Sequence, residues 1–131
     1  KKILDYVKPD VLMVCELQNQ TGADLILNSA LNHSGTTKYK RANFVFNTSG
    51  FYHNLNHCFF YNSEKIKLIE QNEITNSLRD FGHYKVVGID SNATSTTDSI
   101  FLDFFEVHLK TQHHLVKICG RYFLLSQIHH R

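Results

Sequence analysis

Lys8-Pro9-Asp10-Val11-Leu12-Met13-Val14-Cys15-Glu16-Leu17-Gln18 sets an unbroken apolar run, Val11 to Cys15, between a proline and a glutamate. A run of this kind, without polar alternation, suits a strand covered on both faces. Upstream, Ile3, Leu4 and Val7 lie at helical spacing, and Pro9 ends that helix because it has no N–H and restricts Lys8. The apolar run stops at Glu16. A carboxylate at the end of a buried strand stands on rigid backbone and can reach into a cleft at the sheet edge, the placement a hard cation such as Mg²⁺ needs. A glutamate that simply opens a solvated loop would show the same spacing, so this stretch alone leaves both readings open.

Downstream, Thr21 is a plausible N-cap with Asp24 three residues on, and Leu25, Ile26, Ser29 and Ala30 follow at helical spacing, which predicts a helix over 21–31. Residues 32–40 are polar, contain Gly35 and read as a loop. Short β segments follow at 43–46 and 58–61. Asn62-Ser63-Glu64 then turns into 65–71, where Ile66, Leu68 and Glu70 alternate with Lys67, Ile69 and Gln71. Further strands are expected at 84–89 and at 100–108, the latter long and apolar enough for the middle of a sheet, with Ser91–Asp98 as a loop between them. Helix, strand, helix and then several hairpin-linked strands do not make an alternating Rossmann domain, and no Gly-rich phosphate loop is present.

Composition narrows the classes. The 131 residues allow one domain at most, and 14 basic against 12 acidic side chains give a net charge of +2, too small to mark a charge-driven nucleic-acid module. Cys15, Cys58 and Cys119 are far apart and form no CxxC pair. Cys15 and Cys58 lie in apolar runs, where buried free thiols are expected. No stretch is long and apolar enough for a membrane span. Among the nine histidines, His113-His114 and His129-His130 are adjacent pairs without the i, i+4 spacing of a zinc helix, so a His-rich metal-binding fragment is the weakest reading. The chain opens on Lys1 within a helix-like pattern, so further sequence is expected upstream.

A second constellation is Phe104-Phe105-Glu106-Val107-His108-Leu109-Lys110. His108 ends an apolar strand, where an imidazole can bond a phosphoryl oxygen or act as acid or base. A half-buried histidine bonded to a loop carbonyl is the plainer alternative.

Taken together, the two stretches resemble the endonuclease/exonuclease/phosphatase superfamily, the DNase I-like enzymes. Pro9 to Glu16 matches that family's Pro-Asp-apolar-apolar-apolar-apolar-x-Glu strand, and His108-Leu109-Lys110-Thr111 matches its His-Leu-Lys-Ser strand end. Cys58 to Ile66 resembles the family's hairpin, and Leu78-Arg79-Asp80-Phe81 lies where many members carry an arginine ahead of the next strand. The resemblance covers residues 1–112. It implies an α/β fold, a partial two-sheet sandwich with mixed, mostly antiparallel strands and outer helices. The strands at 11–16, 43–46, 58–61, 65–71, 84–89 and 100–108 would make up most of one sheet.

The resemblance also implies a metal-dependent phosphoesterase, a nuclease or phosphodiesterase. Glu16 would bind Mg²⁺ or Mn²⁺, His108 would contact the scissile phosphate, and Arg79 would bind phosphate oxygens. The substrate would be a phosphate ester, with nucleic acid among the candidates beside lipid and small esters. Where the family commonly places an acid to support its histidine, this chain has Asn54-Leu55-Asn56. The family's opening strand, its Gly-Asp-x-Asn strand and its closing Asp-His pair are absent, so the chain is expected to be an inactive fragment of the enzyme. Residues 113–131 depart from the family pattern, and a shifted reading frame beyond Thr111 is one explanation. The Asn-rich tone resembles secreted or cell-surface bacterial members. The alternative, from another class, is a non-catalytic α/β binding or structural module that keeps the fold without the site.

Overall fold

A computed structural model describes residues 2–48, 56–75, 80–89 and 99–107 of the chain. Helix α1 spans Lys2–Val7 and ends where Lys8 turns left-handed (φ 46°), its N–H reaching back to the Leu4 carbonyl at 2.8 Å. That is the helix-ending geometry a glycine would usually supply, and Pro9 then prevents continuation. Strand β1 follows at Val11–Leu17.

The second helix differs from the expectation. Asn19, not Thr21, caps it, its side-chain oxygen accepting from the Gly22 N–H at 3.0 Å. Helix α2 runs Gln20–Leu25 and widens into a π-helical turn at Ile26–Leu31, closed by the Asn32 N–H on the Leu27 carbonyl at 2.7 Å.

Strand β2 is Tyr39–Arg41 and begins within the 32–40 segment expected to be a loop, and residues 43–46, expected to be a strand, carry no strand pairing. The reason lies in one side chain. After Ala42 donates to Phe59, the Gln71 amide brackets Asn43: it accepts from the Asn43 N–H and donates to its carbonyl, both at 2.9 Å. A side chain thus takes the backbone bonds that a neighbouring strand would have made. The remaining strands are β3 at Asn56–Asn62, β4 at Ile66–Ile74, β5 at Phe81–Gly88 and β6 at Phe101–Glu106.

These six strands form two antiparallel three-stranded sheets, ordered β1-β3-β2 and β4-β5-β6, and not most of one sheet. The turn after β3 therefore carries the chain from one sheet to the other and does not close a hairpin. Asn62 and Ser63 fix that turn: the Asn62 side-chain oxygen accepts from Glu64 N–H at 3.1 Å, and Ser63 N–H and Oγ both donate to the Lys38 carbonyl. Strand β6, expected in a sheet centre, stands beside β5 at the margin of the second sheet, and most of its residues are exposed.

Strand β3 shows how the layers meet. Its side chains alternate, so Cys58 and Phe60 pack with Leu17, Ala23, Leu31 and Tyr39, with Leu4, Ile26 and Leu27 of the helical segments against them. Phe59, on the opposite face, joins Ala42, Tyr84 and Val86, with Met13, Ile66, Leu68 and Phe104 at the margin. Around Cys58 to Phe60 both faces of β3 are therefore apolar, and burial pushes the Cys58 thiol up to about 12. Cys58 is a buried free thiol, as expected, whereas Cys15 is only half-buried.

Candidate functional site at one rim of the two sheets

Two β-bulges set the side chains of the site. On β1, Val14 pairs with Cys58 but the next register partner is Leu17 with Asn56, so β1 carries one extra residue. The extra residue returns Leu17 to the helix-facing core and leaves Glu16 exposed at the strand end with φ 64°. A left-handed glutamate is uncommon, costing about 1 kcal/mol or more, and bulges of this kind re-aim side chains at sheet rims.

On β4, Leu68 pairs with Val86 and Glu70 with Lys85, so Ile69 is the extra residue. Beyond it the alternation is reversed relative to the sequence expectation. Gln71 and Glu73, not Glu70, now share a face with Leu68 and turn toward the other sheet.

Register then brings Glu73, Gly82 and Glu106 side by side across β4, β5 and β6. Gly82 leaves a recess in that row. The His57 ring fills it: a Cβ on Gly82 would stand 2.6 Å from His57 Nε2 and 2.7 Å from the Tyr84 hydroxyl oxygen. His57 Nε2 lies 3.0 Å from Glu73 Oε2, within ion-pair distance, but makes no directed hydrogen bond. On the far side, the Cys15 thiol donates to Glu106 Oε1 at 3.4 Å. One polar group from each of five strands (Cys15, His57, Glu73, Tyr84 and Glu106) therefore meets in the recess over Gly82.

The recess is costly for charge. Glu106 is 3% exposed, its Oε2 has no hydrogen-bond partner, and neither does Glu73 Oε1. Burial raises the Glu106 pKa well above the carboxylate range, the Cys15 thiol bond opposes this, and the nearby Glu73 charge adds to it. Burial and the two carboxylates likewise raise the Tyr84 phenol.

Next to the recess, at the same rim, runs a belt of amides. Buried Asn56 donates to the Leu17 carbonyl at 2.8 Å and the Gln18 carbonyl at 3.3 Å, and accepts from the Asn47 N–H at 2.7 Å. Asn47 Oδ1 accepts from the Asp80 N–H at 3.4 Å, and Asp80 accepts from both the N–H and the hydroxyl of Thr48, at 2.8 and 3.1 Å. Asn56 stands in the stretch where an acid was looked for, and its amide ties the end of β1 to the start of β3.

Of the expected site residues, Glu16 lies on the bulge at this rim, while Arg79 and His108 lie outside the described residues. Among the described residues, no three His, Cys, Asp or Glu side chains are grouped to hold a metal ion. The acid–histidine recess was missed, although part of its signal was present. Glu106 stands two residues after Phe104, so period-2 alternation puts it on the side by which Phe104 packs on the core, and His57 stands two before Phe59. The bulge that turns Glu73 inward left no such trace.

No family model and no curated protein matches the chain. Its fold does match a solved structure, the human Nocturnin catalytic domain with bound sulfate anion, at TM-score 0.52 and 14% identity over 84% of this chain. The fold is DNase I-like. At that identity the likeness concerns the backbone alone, and the match spans 41% of the Nocturnin chain. Two small antiparallel sheets with few helices are what a part of such an α/β fold contains. No helix among the described residues is long and apolar enough to cross a membrane.

Proposed function

We infer that the chain is part of a metal-dependent phosphoesterase, a nuclease or phosphodiesterase built on the two-sheet DNase I-like sandwich with outer helices. One observation carries this reading: β1 ends in a bulge that presents Glu16 at the rim, and Cys15 beside it touches Glu106 of β6, in a chain whose backbone resembles the Nocturnin domain. Glu16 would hold Mg²⁺ or Mn²⁺. A hard cation that keeps most of its waters needs only one or two protein carboxylates, so a single exposed glutamate fits that ion. Bound there, the metal would offset the charge developing on a phosphate.

His108 follows Glu106 by two residues and would donate to a phosphoryl oxygen, and Arg79, next to buried Asp80, would bind phosphate oxygens with its planar fork. The Nocturnin domain was solved with a sulfate, a tetrahedral anion of phosphate's shape. A phosphate ester, nucleic acid included, is the corresponding substrate class here. A secreted or cell-surface bacterial protein is the proposed setting.

The test is cleavage of plasmid DNA and of a chromogenic phosphodiester by the full-length gene product, with and without Mg²⁺. Glu16→Ala and His108→Ala should each lower the rate at least about a hundredfold. Equal rates with and without the metal, or in both variants, would reject the assignment and leave the non-catalytic module as the better reading.

A further inference from the structure

Glu106 joins two strand ends. It is the last residue of β6, and its Oε1 accepts from Cys15, the residue before the Glu16 bulge of β1. Every element packed around it contributes a titratable group: Cys15 from β1, His57 and Cys58 from β3, Glu73 from β4 and Tyr84 from β5. Two ionised carboxylates in that recess would stand beside a single imidazole. The imidazole leans toward Glu73, at 3.0 Å, and Glu106 Oε2 has no partner to receive a charge. A buried, unpaired carboxylate is far costlier than a buried neutral acid.

We propose that Glu106 is a positioning residue: it ties the ends of β1 and β6 together through Cys15, and its ionisation, which sets it against Glu73 while tightening the thiol bond, shifts the strand end that bears Glu16. The folded state thereby couples rim geometry to pH. Its burial supports the direction, since folding raises the Glu106 pKa above that of the unfolded chain. Stability from this group is then fully present below the ordinary carboxylate range and is lost as pH rises toward the raised value. Rim geometry alone carries the inference, without the phosphoesterase reading, and its test measures no catalysis, so either can fail without the other.

The experiment follows the Glu106 carboxyl carbon and the Cys15 and Glu16 amides by NMR in the 131-residue chain, from acid to mildly alkaline pH. Glu106 should titrate well above the ordinary carboxylate range. Both amides should show a step at that same midpoint, and the melting temperature should fall across the same window. In Glu106→Gln the step and the fall should disappear. In Cys15→Ala, which preserves Glu106 should Glu106→Gln fail to fold, Glu106 should still titrate high while the Glu16 amide no longer follows it. An ordinary midpoint for Glu106, or a Glu16 step that survives Cys15→Ala or Glu106→Gln, would overturn the proposal.

Discussion

The layer between the two sheets has two ends built from the same five strands. At one end Phe59 stacks on Tyr84 with centroids 4.6 Å apart and meets Phe104 at 5.4 Å, and Val86 and Ala42 complete a dry contact. At the other end, two residues along β3 and β5, the places of Phe59 and Tyr84 are taken by His57 and Gly82, with Glu73 and Glu106 on either side. The dry end can give stability and little else, because no group in it gains or loses a proton at ordinary pH. The polar end keeps three buried atoms without hydrogen-bond partners (His57 Nε2, Glu73 Oε1 and Glu106 Oε2), which is expensive and adjoins the rim where Glu16 stands. Orphaned polar groups of this kind cluster where a protein acts.

The contrast is most easily broken at its dry end. Phe59→Ala removes a fully buried ring that touches aromatic groups from three strands, and should lower the unfolding free energy by about 3–5 kcal/mol. Chemical denaturation of the chain measures this. A loss below about 1 kcal/mol would mean that the two sheets do not depend on this contact, and the dry end would lose the role given to it.

At the polar end a smaller and more specific loss is expected. Gly82→Ala places a methyl 2.6 Å from His57 Nε2 and 2.7 Å from the Tyr84 hydroxyl, so the imidazole must leave the recess. The cost should be about 1–3 kcal/mol, the usual range for an overfilled core. In a His57→Ala background part of that cost should vanish, since the imidazole is gone and only the Tyr84 hydroxyl still crowds the methyl. Equal costs in the two backgrounds would show that the ring does not occupy the recess as described.

The dry end was largely legible in the sequence and the polar end only in part, for reasons that lie in particular residues. Val11 to Cys15 and Cys58 to Tyr61 read as buried strands because short unbroken apolar runs suit strands covered on both faces. The bounds set by Pro9 and Asn62 are local and survive in the structure. The three-residue β2 was not legible, since Tyr39–Arg41 sits in a polar segment and is a strand only because β3 lies beside it. Bulges act in the same way: one extra residue at Ile69 reverses which side of β4 faces inward, and nothing in residues 65–71 announces it. Glu16 was read as an acid at a strand end and stands there, but the left-handed turn that exposes it depends on the pairing of Leu17 with Asn56, a contact between distant parts of the chain.

The smallest expected effect lies outside both ends and gives the contrast its scale. Lys65, in the turn between the sheets, reaches Asp10 at 3.0 Å, with both side chains largely in water. Long side chains lose rotamer freedom to hold such a pair, and water and salt screen its attraction, so Lys65→Met should change stability by about 0.5 kcal/mol or less. This pair joins the start of β1 to the β3–β4 turn, as Cys15 and Glu106 join β1 to β6, but here solvent can take up either charge. If Lys65→Met cost as much as Gly82→Ala, burial would not be what separates the two kinds of contact, and the special standing of the Glu106 recess would go with it.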